Sequence, residues 1–317
     1  MRTILMMCLL VFCCTGLTAQ IDDVDAIIQE GQRYMLSKQY IEALVLFERA
    51  QRIAPSRPDA FTRSAMAKAL LNKYKEALND VQKALHINPN FAEAFYTRGW
   101  IMSYQREYKK ALVDFNTAID LHPKYYAAIA ARINIYFLME NYKKALDLAD
   151  AAIKDNPDYG DYYFYKGKIL YKRNKYEQAI DMFNQALKQR NLISESDIYV
   201  SLGMAKTNID MLITAIDDFD KALKNDSLNL SAYHARGITH YRLGNYDKAL
   251  LDFNKSIRIM QLSPKRYENV HETYYNRGMT YYRINDMDNA CKDFHTACQA
   301  GNTNACKMIL LRCKAGQ

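Results

Sequence analysis

The apolar positions of this chain recur in a fixed order. An alanine is followed four residues later by an aromatic or bulky apolar side chain, and alanine returns three residues after that. Ala43, Phe47 and Ala50 begin the series. Ala77, Val81 and Ala84 repeat it, as do Ala111, Phe115 and Ala118, then Ala179, Phe183 and Ala186, and near the end Ala290, Phe294 and Ala297. Steps of four and three put all three side chains on one face of a helix. Tyrosine opens the same segments in Tyr40-Ile41-Glu42-Ala43, Tyr74-Lys75-Glu76-Ala77, Tyr108-Lys109-Lys110-Ala111, Tyr142-Lys143-Lys144-Ala145 and Tyr176-Glu177-Gln178-Ala179, each 34 residues after the last. Ala215, Ala249 and Ala290 take the alanine slot further on. Upstream of most segments lies a glycine, at Gly31, Gly99, Gly167, Gly203, Gly237 and Gly278, and Pro55, Pro89, Pro123 and Pro157 end the early units. The pattern predicts pairs of antiparallel helices joined by short polar turns such as Asn72-Lys73 and Glu140-Asn141.

This order of glycine, tyrosine, alanine, phenylalanine and closing proline resembles the tetratricopeptide repeat family. The resemblance covers residues 24 to about 304, as units 24–57, 58–91, 92–125, 126–159, 160–193, 196–229, 230–263 and 271–304. It implies an all-α fold: a right-handed superhelical solenoid of about eight helix-turn-helix repeats plus a C-terminal capping helix over 304–314. Small residues let two helices approach, and tyrosine and phenylalanine rings fill the space between them. Proline cannot continue a helix and marks the exit to the next unit.

The units depart from the pattern in places. Unit two has Ala65 and Lys68 where glycine and tyrosine are usual, and unit five has Asn191 in place of proline. Units six to eight lack the proline. Extra residues near Ser194-Glu195 and from Pro264 to Val270 read as longer turns, the second able to let the last repeat tilt away.

Four cysteines fall in the last 27 residues: Cys291, Cys298, Cys306 and Cys313. Cys298-Gln299-Ala300-Gly301-Asn302-Thr303-Asn304-Ala305-Cys306 looks like the cysteine-linked hairpins of Sel1-like repeats. Four cysteines allow three connectivities. The nested one, Cys298 with Cys306 and Cys291 with Cys313, is centred on Asn302, as an antiparallel hairpin requires. Buried free thiols are the plain alternative. Metal binding is disfavoured, because no Cys-x-x-Cys spacing occurs.

The N-terminus bears on the compartment. Arg2 precedes the apolar run Ile4 to Cys14, and Thr15-Gly16-Leu17-Thr18-Ala19-Gln20 supplies small residues for a leader peptidase. Residues 1–19 therefore read as a secretory signal peptide, cut after Ala19. Phe12 before Cys13 disfavours lipidation. No later stretch has the length of a membrane span. An exported protein follows, in the periplasm or associated with the outer membrane or extracellular space, with a Gram-negative bacterium as the expected source. Tyrosine is abundant at 25 residues, against one tryptophan. The net charge of +8 is spread among interleaved Lys, Arg, Asp and Glu, so no basic block argues for nucleic acid.

Catalytic motifs are missing: there is no Gly-rich phosphate loop, no His-Glu-x-x-His and no Gly-x-Ser-x-Gly. No enzyme, cofactor or metal is expected. His86 and His122 precede inter-unit turns and read as helix caps, while His234 and His240 are badly spaced for ligands on one face. Asp217, Asp218 and Asp220 read as a solvated helix face.

By the family resemblance, the first helix of each unit lines a concave groove. The groove residues would include Tyr96, Trp100, Phe137, Phe164, Lys168, Tyr171, Tyr241, Arg242, Tyr275, Tyr282 and Arg283. Tyr, Trp and Arg are enriched in binding hot spots, although such rings also pack between units. Asn134, Lys168 and Lys172 could form part of the carboxylate-holding cluster of some family members, without its full pattern. The expected function is a non-enzymatic scaffold that binds a peptide or partner protein in the groove. The alternative is a glycan- or peptidoglycan-associated accessory protein, because aromatic grooves also stack on sugars.

Overall fold

The computed structural model describes residues 23–189, 193–262 and 270–313. The expected leader, Asn191 and most of the Pro264–Val270 turn lie outside the described residues. Among the described residues there is no strand. The helices are α1 (Val24–Leu36), α2 (Tyr40–Ile53), α3 (Pro58–Leu70), α4 (Tyr74–Ile87), α5 (Ala92–Tyr104), α6 (Tyr108–Leu121), α7 (Tyr126–Leu138), α8 (Tyr142–Asp155) and α9 (Gly160–Lys172). There follow α10 (Tyr176–Lys188), α11 (Glu195–Asn208), α12 (Leu212–Asn225), α13 (Leu230–Arg242), α14 (Tyr246–Leu262), α15 (Val270–Arg283), α16 (Met287–Gln299) and α17 (Thr303–Met308), which runs on as a π-helical turn to Cys313. The chain divides into two compact units, the first ending at Ile135 and the second beginning at Tyr136.

Helix ends follow from local chemistry. Asp23, Asn141, Ser194 and Asn229 each accept a backbone N–H of the first turn of α1, α8, α11 and α13. Within each helix pair one residue takes a left-handed conformation: Lys38, Asn72, Arg106, Glu140, Asn174, Asp210, Gly244 and Asn285. Their φ angles lie between 57° and 77°. Between pairs, Ala54, Asn88, His122 and Asn156 end their helices with φ between −130° and −139° and ψ between 74° and 100°, outside the helical region that a following proline disfavours. Asp226 has no proline after it, yet adopts φ −142°. Its carboxylate accepts the Leu228 N–H at 3.1 Å, the same Asx turn that Asn88 makes to the Asn90 N–H and Asn156 to the Asp158 N–H, so the side chain at this position shapes the turn with or without a following proline.

The contact that sets each repeat joins its glycine to a phenylalanine of its second helix, 16 residues later. A Cβ on Gly31 would lie 2.5 Å from the Phe47 ring, and one on Gly167 2.6 Å from Phe183. Phe47, Phe115, Phe183, Phe219, Phe253 and Phe294 are all but inaccessible to solvent. The repeats without glycine change both partners' sizes. Ala65 goes with the smaller Val81, and the fourth repeat carries Ile133 and Ala149 in the two slots, all fully buried.

A second internal tie is ionic. The residue before the glycine pairs with the aspartate before the phenylalanine: Arg98–Asp114 at 2.6 Å, Arg236–Asp252 at 2.7 Å and Arg277–Asp293 at 2.7 Å. In each, Nε also donates to the second carboxylate oxygen, making the pair bidentate. The guanidiniums also lie over Phe95, Tyr233 and Tyr274. In the second and sixth repeats, where Ser64 and Leu202 take the arginine's place, a lysine one turn on does the work: Lys68 reaches Asp80 at 2.7 Å and Lys206 reaches Asp218 at 2.6 Å. This corrects the expectation of a solvated Asp217–Asp220 face, because Asp218 is buried.

At the C-terminal end α17 folds back on α16, and Ala305 is buried with Ala290, Phe294 and Ala297. The sulfurs of Cys291 and Cys313 stand 2.04 Å apart, and those of Cys298 and Cys306 1.94 Å apart, in the nested arrangement.

Two stability predictions follow from these ties. Gly31→Ala is expected to cost roughly 1–3 kcal/mol in urea unfolding, because the ring of Phe47 has to move. Adding Phe47→Val, which copies the Ala65/Val81 pair, recovers part of that loss as a non-additive coupling. Asp293→Ala, which leaves the Arg277 guanidinium without its carboxylate, is expected to cost roughly 3 kcal/mol. The double change Arg277→Met with Asp293→Leu costs less than that single one.

Candidate functional site

The second unit holds a row of hollows walled mainly by first helices of its repeats. The first, about 200 Å³, is lined by Phe137, Lys168, Tyr171, Lys172, Phe183, Ser201 and Met204. The second, about 440 Å³, is bounded by Tyr171, Met204, Thr207, Asn208, Phe219, Leu230, Ser231, His234, Ala235, Ile238, Arg242, Met260, Glu272 and Thr273. The third, about 230 Å³, lies among Ile238, Tyr241, Phe253, Tyr275, Asn276 and Met279. Tyr171 and Met204 belong to the first two, and Ile238 to the last two, so the hollows adjoin. The second is of the size that takes a ligand or a bulky side chain.

Helical position decides which rings face this row. Three residues before the glycine, the ring tilts onto the repeat's own phenylalanine: Tyr96 on Phe115 at 5.9 Å, Phe164 on Phe183 at 5.9 Å, His234 on Phe253 at 6.0 Å and Tyr275 on Phe294 at 6.1 Å. Four residues after the glycine slot, rings pack on the tyrosine that opens the second helix: Phe137 on Tyr142, Tyr171 on Tyr176 and Tyr241 on Tyr246. Phe137 and Phe164, expected as open groove residues, are buried at 8% and 6% exposure. Their rings are used up in these stacks, and Phe137 contributes only a floor. In the first unit Tyr96 also packs on Tyr125 at 5.1 Å, and Trp100 packs on Tyr104 at 4.6 Å.

The open positions are one and five residues after the glycine slot. The first of these holds Lys168, Met204, Ile238 and Met279, and the other holds Lys172, Asn208, Arg242 and Arg283. Sequence reasoning picked out Lys168, Arg242 and Arg283 but missed Met204, Ile238 and Met279. Their shared slot with Trp100 and Lys168 was the available signal.

Polar groups along the row are mostly held. Asn208 Nδ2 donates to Tyr171 Oη at 3.0 Å, and burial pushes that phenol up. Arg242 donates to the Thr207 carbonyl and to Asp210 at 2.7 Å. Arg283 Nε donates to Tyr241 Oη at 3.0 Å, and Tyr282 lies under the Arg312 guanidinium. His234 Nδ1 shares a 2.8 Å hydrogen bond with Thr273 Oγ1, and burial lowers its imidazole to about 4. Lys168 is different. Its Nζ lies 4.7 Å from the centre of the Phe137 ring, 5.6 Å from Phe164 and 5.7 Å from Tyr165. Burial lowers its ammonium to about 8, with Asp197 opposing and Lys172 adding to the effect. Asn134, the third member of the expected cluster, has a buried side-chain oxygen with no hydrogen-bond partner.

Tetratricopeptide repeat models match residues 131–192, 231–261 and 271–300. Several solved structures share the fold. A tetratricopeptide repeat protein from Parabacteroides merdae aligns at 18% identity and TM-score 0.57, over 81% of this chain and 98% of that one. The APC/C hetero-tetramer Cut9-Hcn1 aligns at 13% identity and TM-score 0.63, over 91% of this chain and 69% of that one. Yeast Tom70 aligns at 18% identity and TM-score 0.64, over 83% of this chain and 54% of that one. No curated protein matches the chain. No helix among the described residues is long and apolar enough to cross a membrane. The repeats support a scaffold for protein–protein interaction. The chain thus carries tetratricopeptide repeats, and its fold is that of their all-helical arrays.

Proposed function

We propose that this chain is a non-enzymatic scaffold that holds an extended segment of a partner polypeptide along its first helices, in an exported compartment. The row of adjoining hollows in the second unit carries the reading. Each step of the row brings one first helix, so a chain lying across it meets a repeated set of open side chains at the Lys168, Met204, Ile238 and Met279 slot. Methionine suits such a surface, because its unbranched side chain adapts to what it covers. Export is supported by the apolar run and small residues of 1–20 and by the nested cysteine pairs, which an oxidising compartment would keep bonded. The glycan-associated alternative gains nothing from the matched repeats or the structural neighbours.

Cross-linking in intact cells followed by mass spectrometry should recover a polypeptide partner. Its affinity for the purified protein is expected to fall about tenfold or more when Tyr171 and Met204 are both changed to Ala. Trp100→Ala tests the same slot in the first unit. Val113→Ala, on an exposed second-helix surface, should leave binding unchanged. Equal binding by wild type and the Tyr171/Met204 double variant would remove the row from the site.

The buried imidazole gives a pH prediction. Unfolded, His234 takes up its proton near about 6.5; folded, it does so only near about 4. Between those values the unfolded state binds more protons, so stability is lost as pH falls from the first toward the second and levels off below it. The share due to His234 is roughly 3 kcal/mol at most. Urea melts at neutral pH and midway between the two values should show the loss, and His234→Gln should shrink it.

A further inference from the structure

We propose that the second unit docks on an anionic lipid bilayer through one edge, formed by the turns inside the fourth, fifth and sixth repeats. The inference stands apart from the peptide-binding reading, because the side chains that carry it line none of the three hollows.

The turns form a continuous edge. Successive first helices touch near their C-terminal ends: Lys168 sits over Phe137, Asn208 donates to Tyr171 Oη at 3.0 Å, and Arg242 donates to the Thr207 carbonyl. The turns that follow those ends, at Glu140, Asn174 and Asp210, therefore stand side by side.

Charge on this edge is placed where the fold itself gains little from it. Lys143 and Lys144 occupy the first turn of α8, which holds no acid, and Lys175 is the N-cap of α10. A helix N-terminus favours negative charge and disfavours these cations. By contrast, Lys154, Lys188 and Lys224 stand in the last turns of α8, α10 and α12, where the helix dipole favours them. Arg173 completes the edge set. All four edge cations are exposed, and among the described residues none lies within ion-pair distance of a carboxylate. Lys166 and Lys206, away from the edge, reach Asp150 and Asp218. Glu140 and Glu177 stand among the four cations, and Asp210 on the next turn is neutralised by Arg242 at 2.7 Å, so positive charge is in excess.

Apolar side chains protrude at the same turns. Leu138 and Met139 stand at the end of α7 with 39% and 38% exposure, and Met211 and Ile213 at the start of α12 with 45% and 66%. A protruding apolar group finds no seat on a polar anionic polymer such as a nucleic acid. The headgroup layer of a bilayer admits it to the acyl boundary, while lipid phosphates meet the cations. The two features together therefore select a lipid surface. No helix among the described residues is long and apolar enough to cross a membrane, and this contact needs none.

The test is flotation of the full chain, after leader removal, with vesicles of phosphatidylcholine alone or with about one-third phosphatidylglycerol. The anionic vesicles should carry the protein and the neutral ones should not, and raised salt should release most of it. A cation near such a surface changes partitioning roughly fivefold, so the combined Lys143→Gln, Lys144→Gln, Arg173→Gln and Lys175→Gln variant should lose about a hundredfold or more. A control with Lys154→Gln, Lys188→Gln, Lys224→Gln and Arg258→Gln removes the same charge at other exposed positions and should stay within about fivefold of wild type. Met139→Ser with Ile213→Ser should weaken binding about tenfold. The Tyr171→Ala, Met204→Ala double variant should float as wild type does, whatever becomes of its peptide binding. Equal losses in the two charge variants, equal flotation with neutral vesicles, or no flotation overturns the inference. Binding indifferent to the Met139 and Ile213 changes assigns the turns to a polar anionic polymer and overturns it as well.

Discussion

Everything in this fold depends on how near two antiparallel helices can come. At the crossing of six of the eight pairs, the first helix gives up a side chain so that the second can insert a phenyl ring. The ring buries fully, and burying one phenyl is worth about 1.5–3 kcal/mol. One position without a Cβ therefore controls a large part of the buried surface of its repeat. The sizes at the two positions are traded, not fixed: glycine with phenylalanine, and Ala65 with Val81. Such trading is expected of interiors packed as densely as crystals.

The ionic tie is built around the same crossing. The arginine and aspartate flank the glycine and the phenylalanine in sequence, so the close approach that seats the ring also brings the charges together. Aspartates are retained in a buried place because a guanidinium or ammonium meets them directly. Where the arginine slot holds Ser64 or Leu202, the lysine at Lys68 or Lys206 comes from one turn further along the helix. The geometry tolerates either source because both reach the same carboxylate.

Much of this was legible in the residues. The 34-residue step, the helix pairs and the fourfold and threefold spacing fixed which faces are apolar, and the slots for Phe47 or Ala111 needed no coordinates. What was not legible concerns the side-chain directions around that skeleton. Phe137 and Phe164 are aromatic like the rings that line the hollows, and only the helical phase relative to the glycine separates a ring that stacks within its own repeat from one that faces outward. Met204, Ile238 and Met279 were passed over because aromatic and cationic side chains attract attention and methionine does not. Asp218 looked like its neighbours Asp217 and Asp220, since a burial that depends on a lysine twelve positions earlier leaves no local trace. The turn at Asp226 shows the converse: the missing proline looked like a departure, yet the chain turns there through the same side-chain contact that Asn88 and Asn156 make ahead of their prolines.

The turns inside the repeats have one more implication. Seven of the eight place a residue with a full side chain in the left-handed region, and such a residue has few other conformations open to it once the helices on either side are formed. Those elbows are stiff. Gly244 is the exception, with φ 77° and no neighbouring atom close enough to confine it. It joins the helix that carries Ile238, Tyr241 and Arg242 to the one that begins at Tyr246. This freer elbow thus sits on the helix whose Ile238 lines both the second and third hollows, so the spacing of the helices there is less tightly set than in the other repeats.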